Sequence, residues 1–222
     1  MNKLLPALVL GLLCHGAASA DEREWFTYKT LIENARLEKF YAIPAAERDK
    51  LNLYVTVKPV NKAIKANQIV LTVLHKGARE VLPLAPNYRM ALVPNAQWLA
   101  EDAKIMTSLP SSEKSALGWD ITTPLPEGAQ WSYAGLMASV AQSNAAIKKM
   151  AGAFSLFAPK IGVLVFKFAK PAKLTIQASA GALQYSSDAK GEIRLKPDAA
   201  LSKENPVMQA SERPFEVELD TE

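Results

Sequence analysis

Apolar and polar positions alternate along this chain with two periods, and the order of those periods predicts the architecture. Trp25, Tyr28, Leu31, Ile32 and Ala35 recur at three- and four-residue spacing, which predicts an amphipathic helix over residues 25–40. Leu51, Leu53, Val55 and Val57 then alternate with Asn52, Tyr54, Thr56 and Lys58, the pattern of a half-buried strand. Shorter strands are expected over 68–75, 80–84, 89–93, 104–109 and 116–122, with a turn at Lys76-Gly77 and a short helical or looping piece around Trp98. Residues 123–128 carry Pro124, Pro126 and Gly128, which break both helix and sheet and mark an internal boundary.

Beyond it the helical period returns in a longer, more apolar form. Tyr133, Leu136, Met137, Val140, Ile147, Ala151 and Phe154 form the stripe, interrupted by Asn144. The helix should end near Ala158, because Pro159 disfavours helical geometry in the residue before it. Residues 161–168 are apolar at successive positions and predict a central strand buried on both faces under a helix. Strands over 173–176, 193–195, 206–211 and 215–219 complete the pattern, with an acidic connection between 195 and 206.

The second half echoes the first. Trp131-Ser-Tyr133 with Leu136 and Met137 matches Phe26-Thr-Tyr28 with Leu31 and Ile32. Further on, Ile193, Leu195, Pro197 and Ala199 match Met90, Leu92, Pro94 and Ala96. Short matches in the same order, about a hundred residues apart, are the signature of a repeated unit. The expected organisation is therefore a leader over 1–20, a first unit over 21–123, a linker over 124–129 and a second unit over 130–222. Each unit would be α+β, a helix on a small, mostly antiparallel sheet, with packing of the two sheets as a β-sandwich left open.

The start of the chain reads as a processing signal. Lys3 gives the positive end, Leu4 to Leu13 the apolar core, and Ala18-Ser19-Ala20 a cleavage site, so the expected location is periplasmic or secreted. Cys14 offers a lipoprotein alternative, but Leu13 stands where such signals want a small residue. After residue 20 there is no cysteine and one histidine, His75. No later stretch reaches eighteen uninterrupted apolar residues, so an integral membrane protein is not expected.

Composition then restricts the chemistry. A cysteine nucleophile and histidine- or cysteine-based zinc sites are excluded by count. A serine–histidine arrangement would need His75, whose place at a strand end suits an exposed turn residue, and no G-x-S-x-G elbow occurs. Ser111-Ser-Glu-Lys114 fits S-x-x-K formally, without its companion motifs. No cofactor is expected. Two carboxylates could cleave a glycosidic bond, but no pair stands out.

Charge distribution says more than the formal net charge of +4. No acid lies between Glu127 and Asp188, where Lys148, Lys149, Lys160, Lys167, Lys170 and Lys173 all fall. Lys148, Lys160, Lys167 and Lys173 are therefore candidate binding residues for an anionic envelope component, a lipid headgroup or an acidic glycan. The competing reading is that they solvate strand edges and discourage edge pairing. Among the tryptophans, Trp25, Trp119 and Trp131 suit core packing, and Trp98, in a connection, is the candidate for an exposed contact. Nucleic acid is set aside as a partner.

The second unit resembles a group of exported bacterial proteins without an assigned activity. The carrying residues are Trp131-Ser-Tyr133, Asn144-Ala-Ala-Ile147-Lys-Lys, Pro159-Lys160 with Gly162, Asp188-Ala-Lys-Gly191-Glu-Ile193-Arg-Leu195 and Glu204-Asn205-Pro206-Val207, across roughly residues 130–220. The resemblance implies an address and a module, and no catalytic residue. The leading expectation is a non-catalytic envelope protein that binds a ligand or another envelope protein. The alternatives are a carboxylate-dependent hydrolase of envelope polysaccharide and a lipid carrier with an apolar cavity.

Overall fold

The computed structural model describes residues 22–125 and 127–221, apart from the side chains of Phe154 and Ser155. The expected leader with Cys14, and Pro126 of the expected linker, lie outside the described residues. Chain order begins with β1 (Arg23–Thr27), α1 (Tyr28–Asn34), α2 (Leu37–Tyr41), β2 (Asn52–Pro59), β3 (Leu71–His75) and β4 (Ala78–Val81). It continues through β5 (Arg89–Met90), α3 (Ala96–Ala100), β6 (Lys104–Thr107) and β7 (Ser115–Thr122). Then come β8 (Gln130–Ser132), α4 (Tyr133–Ala151), β9 (Ile161–Lys167), β10 (Lys173–Ala178) and β11 (Gly181–Ser186). The chain closes with β12 (Glu192–Leu195), α5 (Ala199–Glu204), β13 (Val207–Ala210) and β14 (Glu216–Thr221).

The fold is mixed α+β, with three antiparallel sheets and no closed barrel among the described residues. One four-stranded sheet runs β1-β6-β3-β4, another β8-β13-β10-β11, and a six-stranded sheet runs β12-β9-β14-β7-β2-β5. In the six-stranded sheet, β2 and β7 pair over eight residues, from Asn52↔Thr122 to Pro59↔Ser115. β9 and β14 pair from Lys167↔Glu216 to Ile161↔Thr221. Where these two ribbons meet, β7 and β14 share a single partner pair, Thr122↔Glu218, with one further bond from Thr123 N to Val217 O at 3.0 Å. The apolar face of this sheet, with Val55, Val57, Leu164, Phe166 and Val217, belongs to one continuous core that also takes in α1, α2 and α4.

Several elements differ from the sequence pattern for identifiable reasons. The expected helix over 25–40 is a strand followed by two short helices. Residues 23–27 are drawn into pairing with β6, Phe26 opposite Ile105 and Trp25 at a bulge in the register, and tertiary pairing overrides helical spacing. Thr27 Oγ1 then caps α1 by accepting from Thr30 N at 3.1 Å, and Arg36, at φ 58°, breaks the helix before α2. Trp131 likewise lies in β8, opposite Met208, and does not open a helix. The acidic connection after residue 195 forms α5, whose N-cap Asp198 accepts from Leu201 N at 2.9 Å. Strand β11 was invisible to alternation because almost all of it is exposed on the sheet edge. The long helix stops at Ala151, where Gly152 turns to φ 58°, and a 3-10 turn continues to Phe157. Strand β9 is buried on both faces as the pattern requires, but it lies second from a sheet edge and is not central.

Two buried tyrosines tie helices to the loops beside them. The Tyr28 hydroxyl accepts from Asn95 N at 3.0 Å, and Asn95 is the N-cap of α3. The Tyr133 hydroxyl accepts from Asp198 N at 2.9 Å and donates to Lys196 O at 3.4 Å, holding the N-cap of α5. Burial raises the pKa of both phenols above its ordinary value, so each keeps its proton. Tyr133→Phe removes the acceptor of this part-buried Asp198 N–H bond and should cost about 0.5–1.5 kcal/mol in urea unfolding. Amides in α5 should exchange faster in the same variant.

Candidate functional site

A large concavity lies along α4. Ser132 Oγ caps this helix by accepting from Gly135 N at 3.2 Å, and the helix packs on β9 and β14 and against α2 and α5. On the face beside α5, Ala134, Ala138 and Ala141 follow one another at helical spacing. Small side chains there cannot fill the space between α4, the start of β9 and α5. The result is an open cleft of about 860 Å³ lined by those alanines with Met137, Val140, Pro159, Ile161 and Pro197. This volume is in the range of small-molecule sites, roughly 300–1,000 Å³.

Asn144, which interrupts the apolar stripe, explains how one wall is fixed. Its side-chain amide donates to Ile161 O and accepts from Ile161 N, both at 2.9 Å, so it pairs with the backbone as a neighbouring strand would. That clamp sets Lys160 at the rim, where it is the only ionisable side chain in the cleft lining among the described residues. A smaller depression adjoins the cleft at Asn144 and is lined by Ile147, Lys148, Ala158, Pro159 and Lys160.

The opposite face of the six-stranded sheet is charged. Glu216, Glu218 and Asp220 alternate with the core residues Val217 and Leu219 and so project to the far side. Arg89, with a side chain only 10% exposed, lies among them. It donates from Nε to Asp120 at 3.0 Å, from one terminal nitrogen to Glu216, and from the other to Glu218 at 2.8 Å. Lys167 reaches Glu218 at 2.6 Å, and Arg194 reaches Asp220 at 2.7 Å. Burial works against the Arg89 charge, but the hydrogen bonds to Asp120 and Glu218 outweigh it and hold the pKa above its ordinary value. Burial likewise raises Glu216, against the pull of Arg89, whereas in Glu218 the bonds from Lys167 and Arg89 overcome burial and lower it. This network spans the seam where β7 and β14 share little ladder.

His75 is not the exposed turn residue that its position implies. Nε2 lies 2.9 Å from Glu80 and Nδ1 3.1 Å from Glu101, with the Trp98 ring alongside. Carboxylates only accept, so both ring nitrogens donate and the imidazole is cationic. The Glu80 bond leads in raising the His75 pKa, burial opposes, and Glu101 adds to the rise. Lys76 and Gln97 lead in lowering Glu101 to about 2.

The sequence-selected residues are thus divided. Lys148 and Lys160 share one depression. Lys167 is neutralised by Glu216 and Glu218 on the far sheet face. Lys173 is on β10, opposite Ser186, in a different sheet. Trp98 is corrected outright: it is 9% exposed and packs edge-on to Tyr28 at 5.2 Å, because Asn95 starts α3 and turns the indole inward. Arg89 with its carboxylates escaped sequence reading, although the alternating acids of Glu216-Val-Glu218-Leu-Asp220 were a visible sign of a charged sheet face.

Among the described residues, no group of three or more His, Cys, Asp or Glu side chains is arranged to hold a metal ion. No helix there is long and apolar enough to cross a membrane. The chain matches no protein-family model, and comparison with curated proteins and with solved structures yields no match.

Arg89→Ala would leave three carboxylates crowded without their shared cation. The expected loss is about 3–5 kcal/mol in denaturant unfolding. Arg89→Lys should recover only part of it, since one ammonium cannot replace three separately directed donors. For His75, the raised pKa means that its stabilisation is complete below the ordinary value of 6.5 and is lost as pH rises through the folded value. The Glu101 contribution is complete above 4.5 and is lost as pH falls toward about 2. An imidazole NMR titration should therefore give a midpoint above 6.5, and His75→Gln should flatten the fall in thermal stability on the alkaline side.

Proposed function

We propose that this protein is a non-catalytic binding protein whose α4 cleft takes the apolar part of an amphipathic ligand and whose Lys160 meets an anionic head. The observation that carries this reading is the cleft itself: large, apolar and, among the described residues, lined by no carboxylate and by one ammonium, that of Lys160. Burying about eight methylenes at roughly 0.8 kcal/mol each contributes about 6 kcal/mol. Contact with the ammonium would bring binding toward the micromolar range.

An exported envelope protein of the resembled group, with its leader removed, is the setting in which we place this activity. We also read the chain as two homologous units over 21–123 and 130–222. Support comes from the equivalent strand orders of the two four-stranded sheets, from the tyrosine bonded to a helix N-cap in each half, and from the mirrored halves of the six-stranded sheet. The hydrolase reading draws on Glu216 and Glu218, neighbours on one strand face with pKa values pushed in opposite directions. Both carboxylates are held by Arg89 or Lys167, which argues for a structural role.

A fluorescent long-chain fatty acid should bind the wild-type protein saturably. Ala138→Trp, at an exposed position on the cleft wall, should reduce affinity at least about tenfold with an unchanged circular dichroism spectrum. Uptake unaffected by this substitution, together with native mass spectra free of bound amphiphile, would refute the assignment.

A further inference from the structure

After α4, the backbone leaves helical geometry at Gly152, and the 3-10 turn that follows presents Leu156 and Phe157 at its end. Leu156 is 90% exposed and Phe157 86%. Fully exposed large apolar side chains that adjoin one another commonly mark an interaction site, whereas single ones need no explanation. Other exposed apolar residues, such as Val60, Val81 and Phe215, stand singly.

The surroundings of this tip are cationic. Phe157 shares a depression with Arg36, floored by Ile147 and Met150. Pro159 and Ala158 carry that depression into the next, which Lys148 and Lys160 border, and Asn144 carries it into the large cleft. No carboxylate lines any of the three among the described residues. An apolar tip with an arginine beside it and two lysines in the adjoining depression has the composition of an interfacial anchor, which buries its tip at the headgroup boundary while its cations meet anionic lipid.

We propose that Leu156 and Phe157 insert into the surface of an anionic lipid bilayer, with Arg36, Lys148 and Lys160 against the headgroups. The geometry then opens the α4 cleft at the bilayer surface, where an amphipathic ligand passes between membrane and protein without crossing water. Ligand exchange rests on the binding function proposed above; docking on the bilayer does not.

Hydrogen exchange on the full-length chain tests docking at the residues concerned, away from any contribution of the leader. Vesicles of phosphatidylcholine enriched in phosphatidylglycerol should slow amide exchange over 153–158. Pure phosphatidylcholine should do so less, and added salt should weaken the effect. Leu156→Ser with Phe157→Ser should abolish the protection while uptake of the fluorescent fatty acid from solution persists, because neither residue lines the large cleft. Lys148→Ala should weaken vesicle binding about fivefold at low salt. Exchange over 153–158 that is equally fast with and without anionic vesicles overturns the proposal, as does slow exchange already present without vesicles. Protection without fatty-acid uptake leaves docking standing and removes the ligand reading alone.

Discussion

A phenol hydroxyl organises the wall of the cleft. Tyr133 is the first residue of α4, yet its oxygen satisfies the N–H of Asp198, the residue that caps α5. This part-buried bond contributes about 0.5–1.5 kcal/mol and ties the loop after β12 to that oxygen. Pro197 and Ser202, both in the cleft lining, follow from this placement. On the other side, Asn144 holds Ile161 and hence Lys160. Between two helix-borne polar groups, each aimed at the backbone of another element, the space left by alanines stays open.

The six-stranded sheet faces a different problem. Its two three-stranded halves meet through very little backbone pairing, and the apolar face alone does not specify their register. Arg89 supplies direction there, since a planar guanidinium with several fixed donors meets Asp120, Glu216 and Glu218 in one arrangement only. Such a cluster contributes less net stability than its bonds suggest, because three carboxylates and a guanidinium lose solvation to form it. Its stronger effect is to make other alignments of β14 against β7 costly. Recruitment of these carboxylates to the seam also leaves them poorly placed for chemistry.

Much of the α+β pattern could be read from period alone, because β2 and β9 bury residues with the alternation or continuity that a sheet demands. The Lys76-Gly77 turn was legible too, with both residues at positive φ as a tight hairpin requires. What escaped was set by partners distant in sequence. Trp25 has helical spacing but its segment is claimed by β6, and β11 has no buried face to create a pattern. Trp98 sits in a connection by sequence and in the core by structure, because three residues earlier Asn95 accepts backbone N–H bonds and starts a helix. For the candidate site, the acid-free span with Lys148 and Lys160 was visible as composition. Which lysines would meet was not, since Lys167 answers to acids some fifty residues further on. The cleft was hidden for a simpler reason: alanine at 134, 138 and 141 reads as good helix former, and only packing shows that nothing fills the space beside it.

The two halves of the chain treat their helices differently, and this difference locates the site. In the first half, Arg36 at φ 58° divides Tyr28–Tyr41 into two short helices, and the second folds back with Leu37 and Phe40 buried. In the second half, α4 runs unbroken to Ala151. The additional turns bury Ala146, Ile147 and Met150 in the core, while Asn144 and Lys148 border the depression beside the start of β9. A helix of this length must either bury its free side or leave a groove there. With alanines on that side and an apolar strand beneath, the groove stays open, and among the described residues no carboxylate lines it.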